Sequence, residues 1–369
     1  MLPGLAPENT LVIVRFLGDR KYAPAVPAIL AVRARSEFVS AKATQHTSID
    51  RALMQIGTTD AVQNVLDRLS ALGKMSDPVA AKEILDVLDI LKRLPAATRP
   101  DYAALRATLP AELSLQQLQG LSYVTSARRD RNGAADVRRL LALGYWQWDT
   151  IKTLLEVGSL EDWRAAAAES DTSAKGLATA DMLRNMRREL DAALANPLDT
   201  AVKHLNERAV SELIAAGADA SKGHLVYRLP CGSIDANAAL RLERVPLQPI
   251  CRRILATLVR QGANVNDPRV SDGQTSVSSP LLTVVRNSGA STDEKWLAAL
   301  IDSGADVAAS DDQGCTVLDA ARDKGADQVA DFLAGRGARE GTFCKVRRAA
   351  RNALGAIPML LCVFGCNTH

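Results

Sequence analysis

The sequence predicts an all-α fold, a solenoid of stacked helical repeats, and three observations support that prediction. The first is a Gly-Ala phrase that recurs in the second half of the chain, beginning at Gly217, Gly262, Gly304 and Gly337. The second is an apolar helical register that precedes each phrase. The third is a composition with 47% hydrophobic but only 4% aromatic residues. Small aliphatic side chains favour close-packed helices, so a core of Ala, Leu, Val and Ile is expected.

Each Gly-Ala phrase ends an apolar helix in the same register. Counting back four and eight residues from each Gly reaches positions that share one helical face. These positions are Leu213, Leu258, Leu300 and Leu333, and then Ala209, Ile254, Trp296 and Val329. Glycine suits the left-handed residue that commonly follows a helix C-terminus. The common register therefore indicates a structural repeat.

An opening phrase precedes two of the repeats, as Asn-Pro-Leu-Asp at 196–199 and Thr-Val-Leu-Asp at 316–319, and Ser-Pro-Leu at 279–281 is a third version. This arrangement resembles the ankyrin repeat, in which Thr-Pro-Leu-His opens a first helix and a second helix ends in Gly-Ala-Asp. The resemblance covers about residues 191–340 and implies about four ankyrin repeats.

The repeats depart from that family in two ways. The family's histidine is replaced by Asp199, Leu282 and Asp319. The spacing from Gly217 to Gly262 exceeds the family's repeat of about 33 residues. A loop is therefore expected in the second repeat, within residues 222–248.

The N-terminal part, residues 1–75, predicts helices in antiparallel pairs. Apolar runs end at glycines such as Gly18, and Pro24 fits the first turn of the next helix. A polar stretch at 44–48 is expected to separate two of these helices. The order of these features in residues 11–73 resembles the short HEAT-like repeats found in phycobilin lyases.

Residues 76–190 predict further helices. An amphipathic helix is expected at 77–94, with Asp77 as its N-cap and Pro78 in its first turn. The aromatic cluster 145–148 is assigned to packing between helical units, with a binding surface as the alternative. A helix at 181–195 is expected to bridge into the ankyrin region, so that the two solenoids share one core.

The C-terminal tail, residues 341–369, is basic first and apolar second. One interpretation is a helix that caps the last repeat, since terminal repeats must shield their open face. The alternative is an interfacial membrane anchor formed by residues 345–364, with Cys362 or Cys366 acylated.

The sequence predicts neither a catalytic site nor a cofactor or metal site, and the protein is expected not to be an enzyme. Its four histidines are expected on the surface; they are His46, His204, His224 and His369. Cys362, Cys366 and His369 could bind zinc only if Cys344 supplied a fourth ligand, which is disfavoured. A lyase-type activity, suggested only by the HEAT-like resemblance, is a remote alternative.

The net charge and the spacing of the cysteines limit which partners and which cellular compartment are expected. A net charge of +3 argues against general binding of nucleic acid. The arginines between Arg128 and Arg139 are interpreted as a solvated helix face, with contact to an acidic partner or RNA as the alternative. The six cysteines show no closely spaced framework, which favours a reducing, cytoplasmic setting. No signal-peptide pattern and no apolar run of about 18 residues is found.

The predicted function is a scaffold or adaptor that binds another protein on the turn tips and concave face of the ankyrin region. A peripheral membrane adaptor, anchored by the tail, is the alternative. The acidic character of the tips suggests a partner with a basic or donor-rich surface. The candidate partner-binding residues are Asp219, Lys222, Asn266, Asp267, Asp311, Asp312 and Gln313.

Overall fold

The computed structural model describes residues 6–34, 43–75, 78–92, 102–173, 195–222, 224–231, 247–270, 277–289 and 292–342, together with residues 181, 183, 185 and 344. Its contacts divide the chain into two compact units. Unit 1 comprises Met1–Asp219 with Leu240–Ile250, and unit 2 comprises Ala220–Ala239 with Cys251–His369. The described residues are mainly helical, which confirms the all-α fold class.

Unit 1 contains twelve described α-helices, four of which contact one helix in the middle of the chain order. In chain order they are α1 Pro7–Asp19, α2 Val26–Arg33, α3 Ala43–Ile56, α4 Thr59–Leu72, α5 Pro78–Lys92, α6 Tyr102–Thr108, α7 Leu115–Arg128, α8 Ala134–Ala142, α9 Trp148–Val157, α10 Leu160–Ser173, α11 Ala195–Lys203 and α12 Glu207–Ala215. Helix α7 contacts α4, α5, α8 and α9, and α3 contacts α1, α4 and α5. The local sequence therefore determines where the helices form, and four of them pack against α7.

The position of α7 depends on its cap and on one glycine. Ser114 and Gln117 form a capping box, in which each side chain accepts the backbone N–H of the other residue at 3.2 and 3.0 Å. A Cβ at Gly120 would lie 2.6 Å from a methyl carbon of Leu66 on α4 and 2.9 Å from one of Leu91 on α5. Glycine at this position thus allows the close approach of three helices.

The predicted helices near the N-terminus are present, but one expected link is wrong. The polar stretch 44–48 lies within α3 and does not separate helices. It contains no Gly or Pro that would end a helix, and His46, Thr47 and Ser48 are partly exposed, so its polarity did not mark a helix break. Pro78 begins α5 as predicted, whereas Asp77, the expected N-cap, lies outside the described residues.

The aromatic cluster 145–148 divides between core and surface. Trp146 is buried, and Tyr145 packs against the main apolar cluster of unit 1. Trp148 begins α9 and remains 49% exposed. The packing interpretation is therefore confirmed for Tyr145 and Trp146, but not for Trp148.

Asn206 ties the helix pair α11–α12 to the helices before it. Its side chain is 2% exposed, and its oxygen accepts the backbone N–H of Ala209 at 3.0 Å, which caps α12. Its amide nitrogen donates to the carbonyls of Leu155 and Gly158, both at 2.8 Å. The first Gly-Ala repeat is thus joined by buried hydrogen bonds to the N-terminal helices, and both belong to unit 1.

The remaining described chain is also mainly helical. It contains α13 Leu225–Arg228, α14 Leu247–Arg260, α15 Pro280–Ser288, α16 Glu294–Asp302, α17 Val317–Asp323 and α18 Asp327–Gly335. Strands β1 Arg269–Val270 and β2 Val277–Ser278 pair antiparallel, with Arg269 opposite Ser278. Outside this short ladder, Ser310 and Thr316 form an isolated antiparallel β-bridge.

The Gly-Ala phrase adopts one local geometry at all four sites. The glycines at 217, 262, 304 and 337 have φ values of 97°, 91°, 96° and 90°, and each following alanine N–H donates to the carbonyl of the predicted leucine at 2.9–3.0 Å. This is the Schellman closure of a helix, and all four leucines are fully buried. The predicted left-handed glycine and the predicted inward leucine are both confirmed.

Several expectations fall on residues that the structure does not describe. The bridge helix 181–195 and the loop within 222–248 are described only in part. In the tail, residues 345–369 lie outside the described residues, so its two interpretations stay predictions.

We expect Asn206→Ala to destabilise unit 1 by about 2–4 kcal/mol, because it removes a cap and leaves two buried carbonyls without a donor. Urea unfolding followed by tryptophan fluorescence measures this, since three of the four tryptophans (Trp146, Trp148 and Trp163) belong to unit 1. Ser211→Ala is the control, because its exposed hydroxyl only donates to Glu207 within the same helix. Equal midpoints for both variants would contradict the role assigned to Asn206.

Candidate functional site

The turns of unit 2 are held in shape by their own polar side chains. After two of the Gly-Ala phrases, the next side chain accepts a backbone N–H from two residues further on: Asn264 accepts that of Asn266 at 2.9 Å, and Asp306 accepts that of Ala308 at 2.8 Å. These are Asx-turns, which order the backbone locally. Two successive turns of unit 2 therefore share one construction.

Asn266 connects those two turns to each other. Its amide nitrogen donates to the carbonyl of Gly304 at 2.8 Å, and its oxygen accepts the N–H of Asp306 at 2.7 Å. Both hydrogen-bonding groups of this side chain are thus used between neighbouring turns. Asn266, predicted to contact a partner, fixes the spacing of the turns and remains partly exposed.

Asp311 shapes its turn and is not an exposed binding residue. Its side chain is buried; one oxygen accepts the N–H groups of Gln313 and Cys315 at 2.9 and 2.8 Å, and the other pairs with Arg286. Asp312 and Gln313, the next two residues, are exposed. The tip of this turn therefore presents Asp312 and Gln313, while Asp311 holds the backbone beneath them.

The other predicted partner-binding residues differ in their surroundings. Asp267 is partly exposed, and its carboxylate contacts Nδ1 of His224, which is exposed as predicted. Lys222 is exposed in unit 2, and Asp219 is exposed in unit 1. The structure thus places Lys222, Asn266, Asp267, Asp312 and Gln313 in unit 2 and Asp219 in unit 1.

Asp319, the residue at the position where the ankyrin resemblance led us to expect a histidine, joins two turns. Its buried carboxylate accepts the N–H of Thr316 at 2.9 Å and the N–H of Gly341 at 2.8 Å. Thr316 Oγ1 lies 2.7 Å from the carbonyl of Arg339 and donates to it. A carboxylate that accepts two backbone N–H groups thus connects successive turns at this position.

The sequence led us to expect no disulfide framework, and this expectation is wrong for four cysteines. Cys231 is joined to Cys251, and Cys315 to Cys344. The partners are 20 and 29 residues apart in the sequence, so they form no closely spaced motif. The fold brings the two cysteines of each pair together. The argument for a reducing compartment loses its support, and Cys344 is not a zinc ligand. Cys362, Cys366 and His369 lie outside the described residues.

Unit 1 contains a buried charge cluster that sequence reasoning missed. Asp50 on α3 is fully buried and pairs with both Arg33 and Arg68. Arg68 also pairs with Glu83, and Arg33 donates to the side chain of Asn64. Two cations and two carboxylates balance, so the cluster is a charge-neutral network that joins four helices. A carboxylate within the apolar run Ile49–Met54 is the signal that could have revealed it.

The arginines between 128 and 139 do not form an open positive patch throughout. Arg129 donates to the carbonyls of His204 and Leu205 at 2.6 and 3.2 Å, and it pairs with Glu156. Arg138 pairs with Asp162 at 3.3 Å. These two guanidinium groups stabilise contacts within unit 1, which leaves less positive charge for an acidic partner.

His204 is half-buried, so its expected outward position is wrong. Burial lowers its pKa to about 4, and the nearby charges of Lys152, Arg129 and Lys203 act in the same direction. Burial, with Arg68 next in size, also lowers the pKa of His46. Both side chains are therefore held uncharged near neutral pH.

No cluster that could hold a metal ion was found among the described His, Cys, Asp and Glu side chains. In the same part of the chain, no helix combines the length and apolar character that crossing a membrane requires. No family model and no curated protein sequence matches the chain.

We expect Asp50→Asn to destabilise unit 1 by about 3–5 kcal/mol, because two buried guanidinium groups lose their charged partner. Asp149→Asn is the matched control: Asp149 pairs with Lys92 in an exposed position, where an ion pair contributes about 1 kcal/mol or less. Urea unfolding by tryptophan fluorescence measures both. A loss no larger for Asp50→Asn than for Asp149→Asn would contradict the assignment.

We also expect the stability of unit 1 to fall as the pH drops from about 6.5 towards about 4. The pKa of His204 is about 4 in the folded chain and 6.5 ordinarily, so the unfolded chain binds more protons in that window. His204→Gln should reduce this pH dependence, while His46 keeps its own contribution in both proteins. Unfolding free energies at pH 7.5, 6, 5 and 4.5 test this; parallel profiles would refute it.

Proposed function

We propose that the chain is an adaptor whose C-terminal half is a stack of ankyrin repeats that binds another protein. The observation that carries this proposal is the identical closure of four helices at Gly217, Gly262, Gly304 and Gly337. Equivalent closures are what a repeat requires, since each unit must present the same face to its neighbour. The helices of unit 1 are proposed to stack as HEAT-like pairs.

The proposed binding surface is the turn tips of unit 2 and the concave face that such a stack leaves. The tip of the 310–316 turn is ordered before binding, because Asp311 takes two of its backbone N–H groups. Asn266 likewise fixes two neighbouring turns. Preordered loops lose little conformational freedom on association, which favours affinity.

The charge of these tips indicates the chemistry of the partner. Asp306 and Asp312 are exposed, and Asp267 is partly exposed. Acidic groups at the rim of an interface steer a positively charged partner and select against an acidic one. We therefore propose a partner with a basic surface.

The charge reversal Asp312→Lys tests the surface. We expect it to reduce capture of the partner by about tenfold or more at low salt, and less at high salt, because opposed charges become like charges. Affinity capture with quantitative mass spectrometry identifies the proteins that wild type retains, and binding of each purified candidate is then measured.

Asp331→Lys is the matched control for this test. It makes the same change at an exposed residue of unit 2, but on helix α18 and not in a turn. Circular dichroism and the melting temperature should be unchanged in both variants. Retention of the same basic proteins by wild type and Asp312→Lys would rule out this turn as the binding surface.

A further inference from the structure

Helix α1 of unit 1 has one buried row and one exposed row of side chains. The buried row consists of Thr10, Val14 and Gly18, which are four residues apart, and α1 packs against α3. A Cβ at Gly18 would lie 2.7 Å from the Cα of Ala52 on α3, so the two helix backbones approach closely. The exposed row lies on the other side of α1 and is open to another molecule.

The exposed row carries two large apolar side chains. Val12 is 64% exposed, and Phe16 is 56% exposed. Among the exposed large apolar side chains that the structure describes, these are the two that lie four residues apart on one helix. This spacing places both on one helical face. A molecule that covers this face therefore gains free energy in proportion to the apolar area that it removes from water.

A negative charge lies at one end of this row and a positive charge at the other. Glu8 precedes Val12 by four residues, Arg20 follows Phe16 by four, and both charged residues are exposed. The backbone N–H of Arg20 donates to the carbonyl of Phe16 at 3.0 Å, so the helical register continues to Arg20. The guanidinium carbon lies 5.4 Å from the centre of the Phe16 ring, which places this charge beside the apolar pair.

The other two charged side chains of α1 contact α3. Arg15 donates to the hydroxyl of Ser48 at 3.2 Å, and Asp19 accepts the side-chain N–H of Gln55 at 3.0 Å. These hydrogen bonds direct both groups towards the neighbouring helix. The charge of the exposed row therefore comes from its two ends.

We propose that two copies of the chain associate through this row, with their α1 helices antiparallel about a two-fold axis between Val12 and Phe16. Such an axis pairs each residue of one copy with a fixed residue of the other. The antiparallel arrangement pairs Val12 of each copy with Phe16 of the other, and Glu8 of each copy with Arg20 of the other. A parallel arrangement would place Glu8 opposite Glu8, and the like charges would oppose it. The row is therefore complementary to itself in the antiparallel arrangement.

This contact would have an apolar centre and a charged rim, as protein–protein interfaces commonly do. Side chains four residues apart also form the ridges that pack into the grooves of a second helix. One helix from each copy provides less area than an interface of standard size. We therefore expect a reversible dimer with a Kd of about 10–100 µM.

Analytical ultracentrifugation of the full chain over a range of concentrations tests the proposal. We expect wild type to show a reversible equilibrium between monomer and dimer. Glu8→Arg and Arg20→Glu each create two like-charge pairs and should raise the Kd by about tenfold or more at low salt. An equal mixture of these two variants should associate as wild type does, because every pair across the axis again has opposite charges.

Asp60→Arg is the matched control. Asp60 is also an exposed acidic residue in the first turn of a helix, α4, so its reversal should leave the Kd unchanged. Phe16→Ala removes part of the apolar centre without changing the charge, and it should also raise the Kd by about tenfold or more. Circular dichroism checks that each variant keeps its helices; if a charge reversal loses helix, Phe16→Ala decides the test.

Three results would each overturn the proposal: wild type that is monomeric at about 0.5 mM, variants that associate as wild type does, or a mixture of well-folded reversal variants that stays monomeric. Monomeric wild type that sediments with vesicles of phosphatidylcholine and phosphatidylserine would instead assign the exposed row to a lipid surface.

Discussion

The hydrogen bond from an alanine N–H back to a leucine carbonyl, across a left-handed glycine, is the constraint on which the repeated part of the chain depends. It ends each of the four helices and turns the chain while the leucine stays buried. Nothing lies within 4 Å of a Cβ built at Gly217 or Gly337. Glycine is therefore required there by the positive φ alone and not by crowding.

Polar side chains, buried at Asn206 and Asp319 and partly exposed at Asn266, then connect these closures to neighbouring turns and helices, and no single residue type performs this task. Asn206 donates to two carbonyls in unit 1, Asn266 uses both ends of its amide, and Asp319 accepts two N–H groups. All three satisfy backbone groups that would otherwise be left unpaired in or between turns. These turns have in common backbone N–H and C=O groups that need a hydrogen-bond partner. Different polar side chains can supply that partner.

The helices and their inward faces could be predicted from the sequence because both depend on neighbours three to eight residues away. The leucine register and the left-handed glycines are of this kind. The cluster of Arg33, Asp50 and Arg68 and the pair Cys315–Cys344 join residues 17–29 apart, and no local period reports such contacts. Similarly, acidity at 311–312 was visible in the sequence, but only the fold distinguishes the buried Asp311 from the exposed Asp312.

The disulfide Cys231–Cys251 affects which changes of length the sequence can tolerate during evolution. The segment between Cys231 and Cys251 includes most of the stretch in which the sequence led us to expect a loop, and the fold joins these two cysteines covalently. The entropy lost on closing a segment rises only logarithmically with its length, about 0.6 kcal/mol for each doubling. Descendants of this chain could therefore lengthen or shorten that segment at little thermodynamic cost, while the helices on either side keep their places.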